Sequence, residues 1–117
     1  MKKLRPNKKQ ADDLFREIVN KKYNSICVNC NSKYHPQVAH LISRGYYTVR
    51  WDINNAVILC SSCHVKFTFK PLQWEQWIIK RIGQFEYDNL KRKALTYQKI
   101  SYPEIIEGLI GQLTLPS

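Results

Sequence analysis

The sequence predicts an α+β fold: a small metal-bound centre of strand, loop, strand and helix, with α-helices on both flanks. Two observations carry the centre. Four cysteines fall in two Cys-x2-Cys pairs, Cys27/Cys30 and Cys60/Cys63, a spacing typical of metal ligands rather than of disulfides. Two short apolar runs, HPQVAHLIS and NAVILC, are bounded by turn-prone residues and read as strands. A third observation, apolar residues at helical spacing outside the cysteine pairs, supplies the flanks. A chain of 117 residues with 44% hydrophobic content suits one domain, divided into a basic arm and helix (1–23), a metal-bound core (24–70) and C-terminal helices (71–117).

Taken in order, ADDLFREIVNKKY places Leu14/Ile18 and Phe15/Val19 four apart behind Asp12 and Asp13, whose carboxylates favour a helix start. The two apolar runs form a β-hairpin with a long connection, closing through the turn Asp52-Ile53-Asn54-Asn55. A helix is expected from Ser62 to about Lys70, stopped by Pro71. Trp74, Trp77, Ile78, Ile82 and Phe85 then share one helical face, which reads as core. The stretch SYPE (101–104) has the form of a capping box. It precedes Ile105, Ile106, Leu109, Ile110 and Leu113, an apolar face to be covered by the domain or by a second subunit.

No segment resembles a secretory signal, since the basic opening leads into polar residues, and no apolar run is long enough to span a bilayer. The expected location is a reducing cytoplasm, bacterial or of a phage-infected host, where paired cysteines read as zinc ligands. A site of four thiolates is closed to substrate, so that zinc is expected to be structural. No cysteine is left over as a nucleophile.

Nineteen Lys and Arg against nine Asp and Glu give a net charge of +10. Lys2, Lys3, Arg5, Lys8 and Lys9 make a basic arm, Arg44 and Arg50 flank the middle loop, and Lys91, Arg92 and Lys93 run together. This distribution favours nucleic acid over an anionic membrane or an acidic protein as partner.

Chemistry must come from other polar residues, and His40, Asn55 and His64 stand at telling positions: Asn55 is five residues before Cys60, and His64 follows Cys63. Each alone has a plain explanation, as a strand, turn or helix-surface residue. Together, over Cys27–His64, they resemble the zinc-bound HNH endonucleases, whose catalytic unit is the ββα-metal fold. The resemblance implies that His40 activates water, Asn55 holds the loop and orients that histidine, and His64 ligates a catalytic Mg2+ or Mn2+. Imidazole suits the base role, since its ordinary pKa is about 6.5. Arg44 and Arg50 are placed to hold non-reacting phosphates, and the expected products are a 5′-phosphate and a 3′-hydroxyl.

One position departs from the wider pattern: the residue before the base, often Asp or another metal ligand, is Ala39. His64 then needs a partner. Asp52 or His35 could supply one, with Asp52 preferred because a hard cation favours carboxylate oxygen. Otherwise water and substrate phosphates fill the shell, or the site is inactive.

Within the superfamily the chain is similar to the phage NinG/Rap recombination endonucleases. The likeness rests on the paired cysteines, the small residue before His40, VRWDINN and RIGQFEYDNL, and runs from about Cys27 to Glu107. Members commonly carry asparagine at the position of His64 and a longer N-terminal extension. The resemblance implies a structure-specific DNA endonuclease cutting D-loops and Holliday junctions, recognised by shape. A homodimer would suit symmetric cutting, with the final helix as interface. The alternatives are another HNH enzyme, homing or nicking, acting on linear duplex, and a non-catalytic zinc module that binds DNA.

Overall fold

The computed structural model describes residues 5–114, so Lys2 and Lys3 of the basic arm lie outside the described residues. Helix α1 spans Lys8–Tyr23. Its N-cap is Asn7, five residues before Asp12, because Asn7 and Gln10 form a reciprocal capping box: the Asn7 side chain accepts from Gln10 N at 2.9 Å and Gln10 Oε1 accepts from Asn7 N at 3.1 Å. Asp12 and Asp13 therefore sit past the first turn, and neither caps. The helix ends at Asn24 in the left-handed conformation (φ 53°), which asparagine tolerates better than most residues.

Strands β1 (Pro36–His40) and β2 (Ala56–Cys60) pair antiparallel, with Ala39 opposite Val57 and His40 opposite Ala56. The connection between them is ordered by a short helix α2 (Tyr47–Arg50) and a 3-10 turn over Ile53–Asn55. Helix α3 (Ser61–Thr68) follows β2 without a break, so the expected strand, loop, strand, helix sequence is present. It stops two residues short of Lys70, and α4 (Pro71–Ile82) starts with proline at its first turn, where a missing N–H costs nothing. Helices α5 (Gln84–Leu95) and α6 (Tyr102–Thr114) complete the chain.

All five residues of β2 are buried, and their two-residue alternation feeds two cores. Val57 and Leu59 pack with Ala39, Leu41, Phe67, Ile78, Tyr87 and Leu90 on the side of α3, α4 and α5. Ala56 and Ile58 pack with Ala11, Phe15, Ile18, Val19 and Leu109 on the side of α1 and α6. The apolar face of α6 is thus covered in large part by α1 within the chain, Leu109 being 2% exposed, while Ile110 stays 47% exposed. The aromatic stripe is mostly core: Trp74 stacks on Trp77 at 5.1 Å and packs at a tilt against Phe67 at 4.9 Å. Phe85 does not join it. The helix breaks at Gly83, whose φ of +88° few other residues adopt, and Phe85 lies in the first turn of α5 with 73% of its surface exposed.

Candidate functional site

Cys27 and Cys30 lie in a tight turn after α1, closed by Cys27 N to Ser32 O and Asn31 N to Cys27 O, both at 2.9 Å. The backbone of this turn is docked onto β2 through Val28 N to Ile58 O at 2.9 Å. Cys60 ends β2 and Cys63 lies in the first turn of α3, so the fold carries both pairs to one point. The four Sγ atoms lie within 4.8 Å of one another, Cys30 and Cys60 at 3.6 Å. Zinc at about 2.3 Å from each sulfur would set them roughly 3.8 Å apart. The four thiols are therefore close enough to hold a metal ion such as zinc.

The surroundings suit thiolates unevenly. Burial works against charge at Cys27, but backbone hydrogen bonds from Cys60, Cys30 and Asn29 outweigh it and pull the thiol down to about 7. Burial pushes Cys63 up to about 12 despite an amide donor, Asn29 Nδ2 at 3.3 Å from its sulfur. Asn29 is itself held by Trp77 Nε1 at 3.1 Å. This outer layer was not legible from the cysteine spacing, since Trp77 lies 48 residues away from Asn29.

His40 ends β1 half-buried. Its Nε2 donates to the carbonyl of Arg50 at 2.9 Å, and its ring stacks on Phe15 of α1 at 5.6 Å. That bond leaves Nδ1 as the nitrogen with a lone pair. Burial, with Arg50 and Arg44 nearby, holds the imidazole below its ordinary pKa. Asn55, fully buried, clamps the loop that follows: Oδ1 accepts from Ile42 N at 2.7 Å, while Nδ2 donates to Ile42 O at 2.9 Å and to Val49 O at 3.0 Å. Its own carbonyl accepts from Leu41 N at 2.8 Å. A side chain with three bonds to two limbs of one loop fixes its path.

His64 projects from α3 toward β1, where Nδ1 meets Gln37 Oε1 at 2.5 Å. An amide oxygen only accepts, so Nδ1 carries the proton and Nε2 is the open nitrogen. Ligating histidines are commonly oriented in this way through their other ring nitrogen. Burial also lowers the pKa of His64. His40 and His64 line one cleft of about 1100 Å³, together with Gln37, Arg44 and Arg50, and with Lys8, Lys9 and Arg16 of α1. The cleft is basic on balance, its carboxylates being Asp12 and Asp13.

Three other expected residues sit elsewhere or play another part. Asp52 caps the 3-10 turn through Asn54 N (2.9 Å), pairs with Lys93 (2.5 Å), and lines a separate cleft of about 270 Å³ beside α6, so it is not brought to His64. His35, exposed and at φ 44°, packs edge-on against Tyr34 outside the His40/His64 cleft. Arg50 lines that cleft but is no free phosphate contact. It is 8% exposed, and its guanidinium is engaged by both oxygens of Asp12 (3.0 and 2.8 Å) and by the Arg44 carbonyl (3.1 Å).

Ala39 has a structural reason to be small. Strand alternation turns it away from the side of His40 and into the core beside Val57, where it is 2% exposed. Among the described residues, the four cysteines are the one cluster of three or more Cys, His, Asp or Glu ligands. Asp12 and Gln37, both in contact with the site, escaped sequence reasoning. Asp12 looked like a helix-start residue, and Gln37 was read only as part of the first strand. Comparison with protein-family models, curated proteins and solved structures returned no match.

Proposed function

We propose that the chain is a metal-dependent DNA endonuclease of the HNH type, similar to the NinG/Rap group, that hydrolyses phosphodiester bonds in branched recombination intermediates. The observation that carries the reading is one basic cleft lined by two histidines with complementary free nitrogens: Nδ1 of His40 and Nε2 of His64. In this reading β1, the Asn55-clamped loop, β2 and α3 are the ββα-metal unit, and the cysteine site holds zinc that does no chemistry.

His40 takes a proton from the attacking water at Nδ1 while the Arg50 carbonyl holds the opposite N–H. A neutral imidazole is required, and burial supplies it. Asn55 keeps that carbonyl in place by holding the neighbouring residue Val49. Arg44, exposed at the cleft, is available for a phosphate, whereas Arg50 stabilises the loop. A divalent cation, when bound, neutralises charge on the scissile phosphate and the leaving oxygen. His64 Nε2 would hold that cation, with water and substrate phosphate oxygens in the remaining positions. Magnesium prefers an all-oxygen shell, so Mn2+ is expected to support faster cleavage than Mg2+.

A junction presents several backbones at once. The basic residues suit it: besides those of the cleft, the chain carries Lys80 and Arg81 in the last turn of α4 and Arg92 in that of α5. The test is cleavage of a four-way junction and of matched linear duplex with Mg2+ or Mn2+, beside His40→Ala. Junction preference, with cutting lost and binding kept in the variant, supports the reading. Equal cutting of linear duplex points to a homing or nicking enzyme. Binding with no cutting under either ion points to a non-catalytic zinc module.

A further inference from the structure

We propose that Asp12, on α1, is a positioning residue for His40: it sets the tautomer and aim of the imidazole by fixing the backbone of Arg50 and Trp51. Its consequence for cleavage rests on the nuclease reading above, but its effect on His40 can be measured without it.

One carboxylate receives three hydrogen bonds from two consecutive residues. Oδ1 accepts from Arg50 Nε at 3.0 Å and from Trp51 Nε1 at 2.9 Å, and Oδ2 accepts from Arg50 Nη2 at 2.8 Å. These bonds fasten the end of α2 to α1. The carbonyl of Arg50, at the centre of that clamp, is the acceptor for His40 Nε2–H. The free end of the guanidinium reaches the Arg44 carbonyl at 3.1 Å, so the other limb of the loop is tied to the same carboxylate. Phe15, three residues after Asp12 on α1, stacks on the His40 ring at 5.6 Å with 27° between planes.

Helix α1 thus controls the imidazole twice, once through the ring face and once through the group its N–H bonds. Stability alone does not call for this arrangement, because an apolar pair of similar volume often replaces a buried ion pair without loss. What an apolar pair cannot do is hold a carbonyl at hydrogen-bond distance from a catalytic ring with fixed direction. The charged groups around His40 are Asp12, Arg50 and Arg44. Lys8, Lys9, Asp13 and Arg16 of α1 and His64 of α3 line the same cleft.

The test uses the full zinc-loaded chain labelled with 15N-histidine, compared with Asp12→Asn, Asp12→Glu and the double variant Asp12→Leu/Arg50→Met. The double variant leaves no buried charge unpaired, so it carries the test if Asp12→Asn fails to fold. In the parent the His40 spectrum should show the Nε2–H tautomer. In Asp12→Asn and in the double variant, a mixture of tautomers is expected, with kcat on a junction in Mn2+ lowered about 10- to 100-fold and KM unchanged. Asp12→Glu should recover part of both. A double variant that binds zinc fully, keeps the Nε2–H tautomer and cleaves at the parent rate overturns the proposal. A parent that never cleaves overturns the nuclease reading instead, and the tautomer comparison still decides the role of Asp12.

Discussion

His40 illustrates how a single residue's environment sets its chemistry. Burial holds its pKa below the ordinary value, so the acid limb of any cleavage profile should lie below about pH 6.5. The same shift acts on stability. The unfolded imidazole binds a proton near pH 6.5 that the folded one resists, so the unfolded state gains protons first and stability falls as pH drops through about 6.5. Urea unfolding at pH 5.5 and 7.5 in parent and His40→Phe checks this, the variant losing part of the pH dependence. The two arginines of the loop separate by exposure. Arg44→Ala should leave stability unchanged while weakening DNA binding and lowering the salt slope by about one. Arg50→Ala breaks a mostly buried pair, and because Asp12 keeps about a third of its exposure, the cost should sit near about 3 kcal/mol. Asn55→Ala strands three backbone groups, so it should destabilise the fold by roughly 3 kcal/mol while leaving the four cysteines in place.

At the scale of elements, the sequence pattern located α1, α3, α4, α6 and both strands but neither the short α2 nor the separate α5, and boundaries followed local chemistry. Helix α1 starts at Asn7 because the Asn7/Gln10 box satisfies its first amides, a pattern readable in NKKQ yet outweighed by the two aspartates further on. Asn7→Ala should cost about 1 kcal/mol, read as a lower thermal midpoint. The strand pattern of β1 explains Ala39 more fully. A carboxylate there would point into the core beside Val57 and not into the cleft. Ala39→Asp should therefore destabilise by about 3 kcal/mol and not increase divalent-ion affinity, which calorimetry would show. The break at Gly83 was missed because the apolar spacing runs on through Phe85, whereas a single left-handed residue redirects the chain.

For the molecule as a whole, the cysteine site ties the turn after α1 to the junction of β2 and α3, the region from which both cores are built. If it holds zinc, chelation should remove cooperative unfolding and much of the helical circular dichroism, with recovery on adding Zn2+ back. Acid should release the metal as well, since ligation requires thiolates.

Much of the protein was settled by its sequence alone: the α+β class, the pairing of the cysteines at a spacing that could hold a metal ion, the two-strand centre and the basic charge all depend on residue type and near-neighbour spacing. The same is true of the choice of His40, Asn55 and His64 as candidates, although their activity rests on the proposal. Tertiary structure decided the rest. It put Asp52 in another cleft, turned Arg50 from a surface cation into a buried brace, brought Gln37 to His64, and set Asp12 against the loop that holds His40. Those are contacts between residues 27 to 41 positions apart. Spacing rules carry no information at that distance, because which side chains meet depends on how two cores pack about one buried strand.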